Sequence, residues 1–224
     1  PEEQQLRLQK HRCLGCGATL GTSMFVKNYL PCRFLDGLFC KKLCHGDEHR
    51  PIPHRILHHW DFVPHRVCRA AASFLDDVSH LPVVDVGLVS PRLLAASAAL
   101  RNVRSVRLQL SYLRDLVARA SFTDGVAYLD YKLSGRVHLV LDSELYSVMD
   151  LVQVEEGRMK RVLDELLDRL VGMAARSLDL RDWLEKAAPT LRAEDRTIYR
   201  SLLGLPIEDR APVAAIAPAA AAAA

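Results

Sequence analysis

The sequence predicts a mainly α-helical fold in which a small N-terminal cysteine-rich module packs on a helical bundle. Two observations predict it. Five of the six cysteines fall between positions 13 and 44. Beyond residue 65, apolar residues recur at the three-to-four-residue spacing of amphipathic helices, and Ser, Gly and Pro stand where helices start and stop.

Residues 1–12 read as a polar lead-in, the end of a helix. Residues 13–45 carry Cys, Gly and Pro with little periodicity, as loops wrapped around a metal would. Cys13-Leu14-Gly15-Cys16-Gly17 is a zinc knuckle: two thiolates grip one ion while glycine lets the backbone turn tightly beneath it. A tetrahedral ion needs a second pair, and Cys40 with Cys44 is the simplest choice. Cys32 and His45 remain as spare ligands that complete that site, replace one of its members or help build a second one. Cys44 and His45 compete for the same role. Such a site is structural, because the protein supplies every ligand and no carboxylate stands beside an open position. Zinc would contribute on the order of 10 kcal/mol to folding. Cys68 stands alone on a helical pattern and reads as a small core residue.

Pro51, Pro53 and Pro64 punctuate an extended connector, Arg50 to His65, containing Trp60-Asp61-Phe62. The module with its connector spans 13–65. A helical body follows over 66–177, then divergent C-terminal helices over 178–210 and an Ala/Pro-rich tail over 211–224. Within the body, Arg66–Val78 is helical and Pro82 stops it. Ser90-Pro91 starts a helix that runs to about Ala120. Val137–Leu141 is a short strand or a buried connector. Asp142-Ser143 is expected to cap the next helix. Glu155–Arg176 is the clearest helix, with Met159, Val162, Leu163, Leu166, Leu167 and Leu170 on one face. Asp179 caps a helix through Ala188, and Ala193–Leu203 forms the last, closed by Gly204 and Pro206.

The 224 residues suit one or two domains, and a net charge of +3 is too mild for a nucleic-acid binder. No apolar run is long enough to cross a bilayer, so any membrane contact is expected to be peripheral. Pro1–Gln5 shows no signal peptide, and a chain opening on proline reads as part of a longer one. Clustered cysteines beside a histidine, without secretory features, argue for metal in a reducing, cytoplasmic compartment rather than disulfides. With the thiols tied up by metal, no Ser elbow and no His-Glu-x-x-His, the chain is not expected to be an enzyme.

The order and spacing of several short strings resemble one family. They are Cys13-x-x-Cys16-Gly17, Cys32, Gly37-Leu38-Phe39-Cys40, Cys44-His45, Ile52-Pro53-x-Arg55-Ile56-Leu57, Trp60-Asp61-Phe62 and Val67-Cys68-Arg69 leading into Phe74-Leu75. Together they resemble the Rubicon homology domain of Rubicon and of related endolysosomal adaptors with pleckstrin-homology and RUN domains. Weaker resemblance continues through the 155–177 helix. It implies a non-catalytic, zinc-containing helical domain whose partner is a late-endosomal Rab-type GTPase. It also implies a place on late endosome or lysosome membranes. Family members carry a second cysteine-rich cluster after the long helix, whereas here no cysteine follows Cys68. That difference opens a second reading, a docking subunit of a larger assembly that has lost GTPase binding.

The module also resembles FYVE-type and ribbon-like fingers in layout. With the basic stretch Arg50, His54, Arg55, His58, His59, His65, Arg66 and Arg69, this offers a third reading as a phosphoinositide finger. Pro31-Cys32-Arg33 replaces the basic string of such fingers, which favours a solvated basic face. Candidate partner-binding residues are Arg101, Arg104 and Arg107, three apart on one helix, and Trp183, of a type enriched at interface hot spots. Trp60 is expected to plug the junction between module and helices.

Overall fold

The computed structural model describes residues 2–23, 26–187 and 190–205, so the tail expected over 211–224 lies outside the described residues. The chain is mainly helical with short two-stranded pairings, as the periodicity predicts. Two apolar cores form.

The smaller core belongs to the N-terminal segment. Helix α1 (Glu2–Leu8) buries Leu6. Just past it, Gln9 behaves like a neighbouring strand: its Oε1 accepts from Leu38 N–H (2.8 Å) and its Nε2 donates to Leu38 O (3.0 Å). Strands β1 (Thr22–Ser23) and β2 (Val26–Lys27) pair, and β3 (Tyr29–Cys32) pairs antiparallel with β4 (Gly37–Cys40), Cys32 opposite Gly37. The cysteine-rich stretch is therefore partly strand, not only loop. Strand β5 (Glu48–Arg50) pairs with β6 (His65–Val67), and α3 (Arg69–Val78) closes this core with Ala71, Ala72 and Leu75.

The connector expected to be extended contains α2 (Pro53–His59). Proline at the first helical turn costs nothing, since its missing N–H would have had no intrahelical acceptor. Trp60 ends the helix in the left-handed region (φ 55°), its N–H donating to Ile56 O at 2.9 Å. Ile52 lies in the smaller core, while Ile56 and Leu57 lie in the larger one, so α2 is stitched to both. Trp60 is half-buried against the larger core, edge-on to Phe62 at 4.8 Å, and its indole N–H donates to Glu155.

The larger core is the helical body. Short α4 (Val86–Val89) and α5 (Pro91–Ala96) lead into α6 (Ala98–Arg119). The single helix expected from Ser90 to about Ala120 is thus broken at Ser97, whose hydroxyl accepts from Leu100 N–H (3.3 Å) and starts a new helix. Helix α7 (Thr123–Leu133) follows, and Val137–Leu141 proves to be a helical turn, α8 (His138–Leu141), with Leu139 and Val140 buried. Strand β8 (Leu145–Tyr146) pairs with β7 (Val84–Asp85).

The cap expected at Asp142-Ser143 lies instead at Ser147. Its hydroxyl accepts from Asp150 N–H (3.0 Å), while Asp150 Oδ2 accepts from Ser147 N–H (2.8 Å), a capping box that opens α9 (Val148–Glu155). Gly157, in the left-handed region (φ 70°), separates α9 from α10 (Arg158–Arg176). The long helix therefore starts later than Glu155. Helices α11 (Leu178–Ala187) and α12 (Ala193–Leu202) complete the body, with the Tyr199 hydroxyl donating to Asp115 on α6 (2.9 Å).

Asp150 is buried and also accepts from His138 Nε2 (2.8 Å) and Arg136. Burial alone would raise its carboxyl, but the Ser147 amide, His138 and Arg136 hold it below the usual carboxylate range. A depressed native pKa adds stability above the unfolded value of about 3.9, and that stability is lost as pH falls through the native value. Asp150→Asn is therefore expected to lower stability at neutral pH and to flatten its acid dependence below about pH 4. Urea unfolding of both proteins across pH 3–7 checks this, and parallel curves would refute it.

Candidate metal centre

Cys13 and Cys16 stand on a tight loop that follows α1. Its strands are held by Leu20 N–H to His11 O (2.8 Å) and Cys13 N–H to Ala18 O (2.9 Å). Gly17, in the left-handed region (φ 73°), donates to Cys13 O (2.9 Å) and turns the loop. Cys40 ends β4. The turn beyond it is closed by Cys44 and His45 amides that both donate to Cys40 O, at 3.2 and 3.0 Å.

These two turns bring the Sγ atoms of Cys13, Cys16, Cys40 and Cys44 within 4.8 Å of one another. The Cys16 and Cys40 sulfurs are 3.5 Å apart. Four thiolates around zinc at about 2.3 Å would stand about 3.8 Å apart in a tetrahedron, so the set suits that ion. Two further observations fit. A Cβ on Gly15 would fall 2.7 Å from Cys44 Sγ, so the loop accommodates the fourth sulfur only with glycine there. The Cys40 N–H points at Cys13 Sγ (3.3 Å). Burial works against ionisation of Cys13, but the Cys16, Cys40 and Gly15 amides outweigh it and bring the thiol down to about 6. Burial first, and then the neighbouring sulfurs, push the Cys44 thiol upward.

Cys44, not His45, joins the cluster. His45 turns inward and is buried, with Asp47 N–H donating to Nδ1 (3.0 Å) and Nε2–H donating to Pro31 O (3.2 Å). Both ring nitrogens are committed to backbone. Cys32 is also outside the cluster: it is buried beside the Cys68 thiol, and burial together with Cys32 raises Cys68 to about 11. Among the described residues, the four cysteines are the one group able to surround a metal ion.

The basic stretch is largely neutralised. Arg50 forms a two-pronged pair with Asp76 (2.6 and 2.8 Å), Arg55 and His65 share Asp61 (3.3 and 2.9 Å), Arg66 meets Asp47 (2.5 Å) and Arg69 faces Glu48 (3.7 Å). Exposed pairs of this kind add little stability, but they leave few free cations for an anionic surface.

The arginine stripe does not survive intact. Arg107 is fully buried. Its Nε donates to Leu139 O (3.0 Å) and its Nη2 to His138, Asp142 and Leu145 oxygens (2.9, 2.5 and 2.9 Å), and its guanidinium stacks over Tyr146 at 4.3 Å. It fastens the end of α8 to α6 and cannot meet a partner. A spacing of three residues drifts about 60° around a helix at each step, which carries Arg107 into the buried stripe of Val103 and Leu110. Arg104 is half-buried and paired with Glu144, and Arg101 is exposed. Trp183 is half-buried against the larger core. The Asp150 and Arg107 networks were missed at the sequence level. Only the Ser147-x-x-Asp150 box signals either of them.

Fold and site together define a class: helical domains headed by a cysteine-rich knuckle. The chain belongs to the Rubicon Homology Domain family, whose model matches residues 30–172. It is 31% identical over 70% of its length to the Drosophila melanogaster "Differentially expressed in FDCP 8 homolog", covering 32% of that protein. It is 31% identical over 71% of its length to the Bos taurus "Protein associated with UVRAG as autophagy enhancer", covering 23%. It is 32% identical over 74% of its length to the Xenopus laevis "Pleckstrin homology domain-containing family M member 3", covering 22%. The chain thus spans about a fifth to a third of the length of these curated relatives.

Proposed function

We propose that this chain is the zinc-stabilised, non-catalytic interaction domain of an adaptor. Cys13, Cys16, Cys40 and Cys44 hold one zinc ion, and the helical body engages a membrane-associated Rab-type small GTPase during endosome or autophagosome maturation. The observation that carries this reading is the family match over the helical body, with the thiol cluster at its head. A relative whose name describes an autophagy enhancer supports the setting. In this reading the residues over 13–65 form the zinc-binding unit, and Cys32, Cys68 and His45 pack the core beside it. The domain works on the cytoplasmic face of late endosomes or lysosomes as a peripheral component. Among the described residues no helix is long and apolar enough to cross a membrane.

The absence of any cysteine after Cys68 favours a second reading, a docking subunit that does not bind a GTPase. A pull-down with late-endosomal Rab proteins loaded with GTP or GDP separates the two. Capture of the GTP form alone is expected. Equal capture of both forms, or of neither, with stable co-purification in a complex, would favour the docking subunit.

A further inference from the structure

A groove of about 630 Å³ runs along α6 between α5 and α12. It exists because the helix break at Ser97 ends α5 early, while α12 meets α6 near Asp115 through Tyr199. The face of α6 between them is left uncovered. Leu94 of α5 and Ile198 of α12 form the walls, and Ser105, Leu108 and Tyr112 form the floor. Arg101 and Arg104 stand at one end, and no carboxylate lines the groove. Arg101 to Tyr112 spans about 16 Å of helix axis, about three turns of a partner helix. The positive end of the α6 dipole lies at the arginine end. Arg104 is held by Glu144 and Arg101 by the Ala95 carbonyl, so both guanidinium groups are already placed. Arg101 has no carboxylate partner among the described residues.

We propose that this groove receives a short amphipathic helix of a partner protein, with apolar side chains over Leu108, Tyr112 and Ile198 and an acidic side chain against Arg101. Apolar anchors at helical spacing laid into a groove are a recurring mode of recognition, and Arg101, the arginine of the rim that no carboxylate neutralises among the described residues, sets the direction and disfavours basic segments. The inference rests on the reading of the chain as an interaction domain and names the surface it uses.

The test uses the whole chain and a labelled three-turn helical peptide with leucines on one face and glutamates in its first turn. A twin peptide carries lysine in place of each glutamate. By fluorescence anisotropy the acidic peptide is expected to bind about tenfold or more tightly than its twin. Ser105→Trp fills the groove from an exposed position and is expected to weaken binding about tenfold. Arg101→Glu is expected to reverse the preference between the peptides. Gln109→Trp stands in if Ser105→Trp does not fold, as judged by its melting temperature. Equal binding of the two peptides, or indifference to the tryptophan, overturns the proposal. Two other results would overturn it by assigning the groove elsewhere. One is tighter peptide binding after deletion of residues 206–224, which points to the chain's own tail. The other is a dimer in sedimentation that Ser105→Trp dissociates. A Rab protein captured equally by wild type and Ser105→Trp would remove the groove and keep the GTPase reading. Peptide binding without any GTP-dependent capture would do the reverse.

Discussion

Replacing one of the four clustered thiols, Cys16→Ser, is expected to cost the protein its zinc and to unfold the N-terminal segment. Cys16 is exposed, so the change leaves no cavity. The stability lost would then report mainly on the proposed metal site. A structural zinc contributes on the order of 10 kcal/mol in small modules, more than a domain of this size typically has to spare. The smaller core, with Leu20, Leu38 and Phe39 beside the cysteines, is too small to hold on its own. Metal analysis of the purified wild type should find about one equivalent, with Cys16→Ser far below it. A chelator should reproduce the loss of protection of residues 13–65 in hydrogen exchange. Wild-type protein free of metal, with Cys16→Ser equally stable, would falsify the zinc assignment.

The second large effect lies at Arg107. Arg107→Met keeps much of the stem but withdraws the guanidinium from four carbonyl oxygens and from the face of Tyr146. Buried carbonyls that lose their donor carry the desolvation cost with nothing in return, and the expected loss is about 3–5 kcal/mol. Lysine's single nitrogen can serve the three oxygens gathered at Nη2, but it leaves Leu139 O without its Nε donor and has no planar group to lie over Tyr146, so Arg107→Lys should recover only part of it. Arg101→Met, at an exposed position, should stay within about 0.5 kcal/mol of wild type. Urea unfolding of the three variants checks the order. Equal effects at 101 and 107 would mean that Arg107 does not anchor α8.

Legibility in the sequence followed how local the cause was. The face of α10 with Met159, Leu163, Leu166 and Leu170 was readable because each of those residues meets the core at helical period. The Cys13–Cys16 loop was readable because its chemistry fits within five residues. The breaks were not. Ser97 interrupts an apolar pattern that continues on both sides of it, and only the cap geometry shows that the chain restarts there. Helix α2 hid behind two prolines that suggest extension, although one of them sits at the single helical turn that tolerates it. Cys44 and His45 are adjacent in sequence and equally good ligands, and only the turn on Cys40 O decides which one faces the sulfurs. Arg107 looked like a member of a charged stripe because nothing in its neighbourhood reveals four carbonyls arriving from residues 138–145.

The position of α2 bears on the order in which the protein is built. All four thiols lie within residues 13–44, so little loop entropy opposes their gathering. That stretch also leaves the ribosome before α6 and α10, whose packing needs far more of the chain. With zinc at the cluster, the N-terminal core can set first and hold Ile52, which presents Ile56 and Leu57 one turn later as the first surface on which the helical body condenses. Metal scarcity during synthesis would then lower the yield of correctly folded chains.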